Sequence, residues 1–448
     1  MSLQTYKTFS RGIHVRDFKE ETNRIPIKRF PFAPLLILPL KQHIGRPSIP
    51  VVREDQEVLR GQVIAKADGH MSVPLHAPVS GIVKKISRVP FITGEMVPGI
   101  YLQSSPGSTQ EVLEGGPCEL ETSSPQQILN AIQAAGIVGL GGAMFPTHVK
   151  LQPPAGTDID TLIVNGVECE PFLTTDHRVM LEQTSDLVMG IRYVLKATGA
   201  KQAVIAVEAN KMDAVQVLRQ TISTQDPVSV QVLAVKYPQG AEKLVIKALL
   251  NREVPPGGHA YEMGVVGINV ATAAEIGRLL PHGRGIQERV VTIGGTGVAK
   301  KGNYRIPIGT PLRFVLENVE ADSAIKRVIL GGPMMGVAVA DLDISITKGI
   351  AGIFAFNDDA VYRQSKVYPC IHCGYCVNAC PMGLNPSQLG LLAMNQEYDT
   401  MANKYFLSNC FECGACSFVC PSHIPLVQYF CAAKYFIQKP KVNNNQVV

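Results

Sequence analysis

Near its C-terminus the chain carries the same run of cysteines twice. Cys370-x-x-Cys373-x-x-Cys376-x-x-x-Cys380-Pro381 recurs forty residues later as Cys410-x-x-Cys413-x-x-Cys416-x-x-x-Cys420-Pro421, with Gly374 and Gly414 in matching places. Eight of the eleven cysteines lie in these runs, while Cys118, Cys169 and Cys431 are scattered. Three cysteines at two-residue spacing wrap one centre. The fourth, just before a proline, starts a helix that carries it to another centre. Two 4Fe–4S cubes fit this pattern. Structural zinc is the other reading, but zinc sites usually pair two Cys-x-x-Cys knuckles across a longer stretch. A secreted disulfide framework would spread its cysteines over the whole chain.

Bacterial ferredoxins of this spacing exchange the fourth ligand between their two clusters. On that pattern Cys370, Cys373, Cys376 and Cys420 hold one cluster, and Cys380, Cys410, Cys413 and Cys416 hold the second. The small residues Gly374, Ala379, Gly414 and Ala415 leave room for the inorganic core and for backbone N–H groups to approach its sulfurs.

A length of 448 residues suggests three or four domains. Hydrophobic content of 46% with 18% charged residues supports a sizeable core, and a net charge of +5 is too mild to imply nucleic acid. The most apolar stretches, residues 31–40 and 349–356, are too short to span a bilayer. The N-terminus shows neither the apolar core nor the cleavage site of a signal peptide. A cytoplasmic chain with no direct membrane span is expected, with any membrane contact made through partners.

Residues 1–110 read as short strands between turn signals, an all-β domain. The pair 54–69 and 74–86 resembles the two halves of a biotinyl/lipoyl-like barrel-sandwich, without a carrier lysine at the hairpin tip. Residues 104–125 form a polar linker. Helix and strand patterns then alternate (helices 125–135, 185–198, 213–219 and 241–250; strands 161–164, 203–207 and 229–235), which predicts an α/β domain with a parallel sheet over 120–262. Strands return over 263–346 as a β-grasp-like module, and 350–440 is helical and carries the cysteines. The expected fold class is thus multidomain α/β plus β.

Between the first helix and strand of the α/β domain lies GIVGLGGAMFPTHVKL (136–151). Gly139, Gly141 and Gly142 permit close backbone approach, so a phosphate or flat ring can rest on the main chain, and Lys150 can neutralise a phosphate. It is not a Walker A loop, because no Gly-Lys-Ser/Thr follows. Downstream, Asn165 ends the apolar run TLIV, at the carboxyl end of a strand where α/β ligand sites gather. Glu168 and Glu170 follow as carboxylates able to receive ribose hydroxyls, or as solvated loop acids.

Together, GLGGAMFPTHVKL, LIVNGVECEPFLTTDHR and KYPQGAEKLVI resemble the flavin- and NADH-binding subunit of respiratory complex I. With RGIHV, LPLKQHIGRPSIPVV, the β-grasp segment (SLBB-like) and the twin cysteine runs, nearly the whole chain resembles the RnfC family, the peripheral NADH-side subunit of ion-translocating ferredoxin:NAD⁺ oxidoreductase (Rnf/Rsx) complexes. The resemblance implies FMN held by Gly139, Gly141, Gly142, Lys150 and Asn165. It implies a dinucleotide received by Phe145, Glu168, Glu170, Tyr237, Gly240 and Glu242, and flavin-phosphate contacts at Asn269 and Thr272. It also implies integral and peripheral Rnf-type partner subunits, ferredoxin or flavodoxin acting indirectly, and a peripheral place on the cytoplasmic face of the bacterial inner membrane. The long repetitive extension of some family members does not follow the second cysteine run. Three positions depart from the complex I pattern: Leu140 stands for an Arg, Ala241 for a Glu, and Met144 for a Gly.

The implied activity is an oxidoreductase subunit, of translocase type, converting two-electron hydride chemistry on NAD(H) and FMN into single electrons passed through the clusters. No catalytic acid, base or nucleophile is needed, and His148 and His177 read as structural. The alternatives are a soluble flavin/iron–sulfur reductase similar to cobalamin reductases, and a non-catalytic relay whose flavin pocket Met144 closes. The apolar segment 425–438 reads as a cover for the cluster core rather than a docking helix.

Overall fold

Four parallel strands carry the ligand-binding end of the molecule. In the computed structural model, which describes residues 6–357 and 366–438, they lie in the order Val228–Leu233, Gln202–Glu208, Thr161–Gly166, Val265–Asn269. Residues 1–5, 358–365 and 439–448, which include parts of the first and last expected domains, lie outside the described residues. Alternate side chains feed two cores. Leu162, Val164 and Ile205 pack with helices such as Thr184–Thr198, and Ile163, Val204 and Ala206 pack with Glu242–Leu250. A parallel sheet needs cover on both faces, and this one has it. Helix Pro125–Ala134 starts on a capping box of Ser124 and Gln127 with proline at its first position.

The sequence pattern puts residue 265 onward with the following β module. The structure instead hydrogen-bonds Val265–Asn269 to Thr161–Gly166, and helix Val270–Leu279 packs on helix Thr184–Thr198. An apolar run of five reads alike in either sheet. A pair of glycines favours this docking: a Cβ on Gly190 would lie 1.8 Å from the Ala273 carbonyl oxygen, and one on Gly277 1.9 Å from that of Asp186. Only bare backbone lets these helices approach so closely.

The N-terminal β region forms two small sheets, Leu35–Pro39, Met96–Ser104, Gly81–Pro90 and Glu57–Val58 in one, and Ile49–Pro50, Val63–Lys66 and Leu75–His76 in the other. A six-stranded mixed sheet follows in space, ordered Lys28–Arg29, Gly302–Pro307, Glu288–Gly294, Gly352–Phe356, Arg327–Leu330, Val337–Val339. Two of its strands come from outside residues 263–346. Lys28–Arg29 pairs at one edge, and the apolar Gly352–Phe356 fills an interior position between Glu288–Gly294 and Arg327–Leu330. Among the described residues no helix is long and apolar enough to cross a membrane.

The cysteine region is built of short helices. Gly374 and Gly414, at φ +78° and +82°, sit immediately before helices Tyr375–Ala379 and Ala415–Phe418. That left-handed turn is a glycine conformation. Helix Leu426–Gln438 buries Leu426, Phe430 and Ala433 against this region, as expected of a cover.

Candidate functional site

Strand order reverses at Thr161–Gly166, whose neighbours on either side follow it in sequence, so ligands are expected at the carboxyl ends of this strand and Val265–Asn269. Asn165 and Asn269 stand there in register. A cavity of about 590 Å³ opens at this point, well within the size range of cofactor sites. Gly139, Gly141, Phe145, Lys150 and Asn165 line it, as do Glu168, Glu170, Tyr237, Gly240, Glu242, Asn269 and Thr272. Gly142 does not: it keeps φ +104° and has open space where a side chain would be.

The polar side chains lining it are engaged in distinct ways. Asn165 Nδ2 donates to the Gly240 carbonyl at 2.8 Å, joining two walls. Asn269 caps helix Val270–Leu279 through Oδ1 and donates from Nδ2 to Asp176 at 2.6 Å. Thr272 Oγ1 accepts the Leu140 N–H at 2.9 Å and so fixes the glycine loop. A Cβ on Gly141 would approach the Asn269 side chain to 3.3 Å, so the loop lies close over that residue. Glu168 accepts the Asp176 N–H at 2.6 Å and the His177 N–H at 3.3 Å, capping helix Thr175–Glu182. Lys150 and Glu242 form an ion pair of 2.7 Å, both partly exposed.

Glu170 differs from the others. One carboxylate oxygen accepts the Met334 N–H at 3.0 Å; the other is buried, and among the described residues no group meets it at full hydrogen-bond geometry, the Tyr237 hydroxyl standing near the carboxylate. Burial pushes its carboxyl up to about 7, against the pull of main-chain N–H groups and of Lys19. Tyr237, also buried, donates from its hydroxyl to the Cys413 carbonyl at 2.5 Å. The cavity continues to Ser408, Asn409, Cys410 and Phe411. One end of it therefore meets the second cysteine run.

Met144 does not close the cavity. It takes a left-handed φ of +49°, and its thioether lies against Gly349, where an added Cβ would come within 2.2 Å of Sδ. Leu140 is buried, and Ala241 stands at the N-terminus of helix Glu242–Leu250. His148 Nε2 donates to the His70 carbonyl at 2.8 Å, and His177 pairs with Asp213 at 2.8 Å. Burial holds both below the usual histidine value.

Three residues at the site are not evident from the sequence. Asp176 lines the cavity and is raised to about 7 by burial and by Glu168. Arg289 reaches across from the six-stranded sheet to donate to the Leu140 and Ile350 carbonyls. Lys19 holds the loop carrying Glu168 and Glu170. Asp176 lies within the LIVNGVECEPFLTTDHR motif; the other two are ordinary cations in sequence, identified only by distant partners.

The eight cysteines separate into two quartets. Cys370, Cys373, Cys376 and Cys420 line one cavity of about 180 Å³. Cys380, Cys410, Cys413 and Cys416 line a tighter one of about 20 Å³ beside the flavin-sized cavity. Among the described residues no three His, Cys, Asp or Glu are drawn together closely enough to hold a single metal ion; each quartet instead surrounds a space. Four thiols round a cavity with glycine and alanine beside them form a donor set that fits an iron–sulfur core. Burial raises the Cys376, Cys410, Cys413 and Cys416 thiols, Cys413 to about 12.

An α/β module with a cofactor cavity at its switch point, joined to a twin-quartet cysteine module, defines a flavin and iron–sulfur electron carrier. Family models match in the same order: the RnfC barrel sandwich hybrid domain over residues 7–105, the Nuo51 FMN-binding domain over 132–278, and the 4Fe-4S dicluster domain over 369–424. The chain is 38% identical over 405 residues to the C subunit of the proton-translocating ferredoxin:NAD(+) oxidoreductase complex of Clostridium ljungdahlii, covering 90% of this chain and 88% of that one. It is 37% identical over 393 residues to the Na(+)-translocating counterpart of Acetobacterium woodii, covering 88% of each. The C subunit of the ion-translocating oxidoreductase complex of Haemophilus influenzae (strain PittEE) is 38% identical over 429 residues, and the chain spans 65% of its length. The chain belongs to the family these proteins form, the RnfC family.

Proposed function

We propose that the chain is the peripheral electron-transfer subunit of a membrane-bound, ion-translocating NADH:ferredoxin-type oxidoreductase, on the cytoplasmic face of the bacterial inner membrane. Electrons move between NAD(H), FMN and two 4Fe–4S clusters, and partner subunits couple that movement to ions. The observation that carries this reading is the cavity of about 590 Å³ at the switch point, which runs from the glycine loop to Cys410.

Gly139, Gly141, Lys150 and Asn165 would hold FMN, with Asn269 and Thr272 fixing the loop around it. Phe145, Glu168, Glu170, Tyr237, Gly240 and Glu242 would receive the dinucleotide. Bound there, FMN supplies the exchange between hydride and single-electron chemistry. The protein's own part is placement. The Lys150–Glu242 pair can open to admit a phosphate, since both partners reach solvent and an exposed pair holds weakly. Glu170 lines the cavity with a buried carboxylate, and Tyr237 spans the wall between this cavity and the cradle of Cys413.

The quartet of Cys380, Cys410, Cys413 and Cys416, which adjoins the cavity, would take electrons first. The quartet of Cys370, Cys373, Cys376 and Cys420 would pass them on. Within the module plan, a barrel-sandwich leads, the flavin module continues through helix Val270–Leu279, and the six-stranded sheet is a β-grasp of SLBB type. Full-length protein prepared without oxygen and supplied with iron, sulfide and FMN should retain flavin and bleach its absorbance on addition of NADH. Protein that takes up clusters yet never binds FMN overturns the reading.

A further inference from the structure

Two buried ammonium groups hold the loop after strand Thr161–Gly166, and one of them comes from the N-terminal segment, far away in sequence. Lys19, with 4% of its surface exposed, donates to the carbonyls of Glu168 at 2.9 Å, Glu170 at 3.0 Å and Leu173. All three of its N–H bonds are used. The Glu168 carboxylate stands 3.9 Å away. Lys211 takes the Val167 carbonyl at 2.8 Å, but has a closer counter-ion, Glu208, at 3.1 Å.

The loop so held is not in a relaxed conformation. Glu168 and Phe172 both have left-handed backbones, at φ +48° and +66°, which such residues keep only when their surroundings impose it. The same N-terminal segment supplies more of that constraint. The Asp17 main-chain carbonyl accepts the Phe172 N–H at 2.7 Å, and Phe18 stacks on the Phe172 ring at 4.7 Å. Six residues before Lys19, Ile13 and Tyr237 exchange both main-chain hydrogen bonds at 2.9 Å. One segment therefore braces the wall that carries Glu170 and the tyrosine that reaches Cys413.

We propose that Lys19 is a positioning residue of the flavin site: its ammonium fixes the loop that presents Glu170 to the cavity and contributes a positive charge beside that carboxylate. This rests on the reading of the cavity as the FMN and NADH site. A side chain without N–H groups cannot replace the ammonium, because three buried carbonyls would lose their donor together. Burial works against the charge on Lys19 and the Glu168 carboxylate 3.9 Å away supports it; kept charged, it would favour an electron-rich flavin over the oxidised form.

The test compares Lys19→Met and Lys19→Arg with the unmodified full chain, each loaded with iron–sulfur clusters. Lys19→Met should bind FMN about tenfold more weakly, raise the KM for NADH more than it lowers kcat, and move the flavin midpoint potential to more negative values. Lys19→Arg should recover most of the affinity and the potential. Unchanged cluster resonances in both variants would show that the rest of the chain is folded. FMN affinity and potential unaltered in Lys19→Met overturn the proposal, and so does lost thermal stability with an unmoved potential, which marks a merely structural role. Failure of the unmodified chain to bind FMN removes the underlying reading and the proposal with it, whereas a normal unmodified chain beside a normal Lys19→Met removes the proposal alone.

Discussion

The two cysteine quartets are nearly identical in sequence and unlike in surroundings. The one completed by Cys380 is enclosed: it lies against the flavin-sized cavity, Tyr237 touches its Cys413 carbonyl, and Lys434 donates to its Cys410 carbonyl while pairing with Glu412. The one completed by Cys420 opens outward. Ile371, Met394, Tyr368 and Val367 line its rim with half or more of their surfaces exposed, and none of its described lining residues is Lys, Arg, Asp or Glu. A duplicated motif supplies the same thiolates twice, but tertiary context makes one quartet an inner, charge-contacted site and the other a surface site. The enclosed quartet suits entry of electrons from the flavin module, and the open one suits exchange with a partner.

The largest effects should come from breaking each quartet in turn. Cys413→Ser should abolish NADH-driven reduction of both clusters, read by electron paramagnetic resonance. Cys373→Ser should leave the inner cluster reducible by NADH while transfer to an external acceptor falls. If the two substitutions behave alike, the asymmetry is not functional. A slower erosion should sharpen the same contrast: during controlled exposure to air or a chelator, the outer cluster should lose its iron first, followed as the decay of the signal absent from Cys373→Ser. Simultaneous loss would count against the difference in exposure.

Smaller still is the effect of the tyrosine. Tyr237→Phe removes one hydrogen bond to the cradle of the inner cluster, and should move its potential negative by roughly 40 mV, corresponding to about 1 kcal/mol for one electron. The outer potential should not change. The smallest effect lies far from both quartets and serves as their control. Burial and nearby Lys348 hold His76 down at about 3, below its usual 6.5, so between these values the unfolded chain carries a proton that the folded chain lacks. Stability therefore falls as pH drops from 6.5 toward 3. His76→Gln should flatten that slope in thermal melts by up to one proton, with both cluster signals unaltered.

Much of this arrangement is legible in the sequence. The cysteine partition follows from the duplicated spacing read on the ligand exchange of bacterial ferredoxins, and the glycine loop and Asn165 announce themselves through residue types that backbone contact requires. What is not legible depends on distant partners. Val265–Asn269 and Gly352–Phe356 are short apolar runs whose sheet is chosen by docking, so the flavin sheet and the six-stranded sheet each gain a strand that the pattern puts elsewhere. Lys19 and Arg289 act on main-chain carbonyls 149 residues away. Met144 shows the reverse case. Its departure from glycine suggests an obstructed flavin site, yet its backbone takes a left-handed turn and the side chain leaves through the gap at Gly349.

The most direct test of the central claim is rapid mixing of NADH with protein carrying FMN and both clusters, freezing samples over time and recording flavin absorbance and cluster resonances. Flavin bleaching should come first, then the resonance that survives in Cys373→Ser, and the outer cluster last. Reduction of the outer cluster ahead of the inner one, or cluster reduction in protein holding no flavin, would contradict the account.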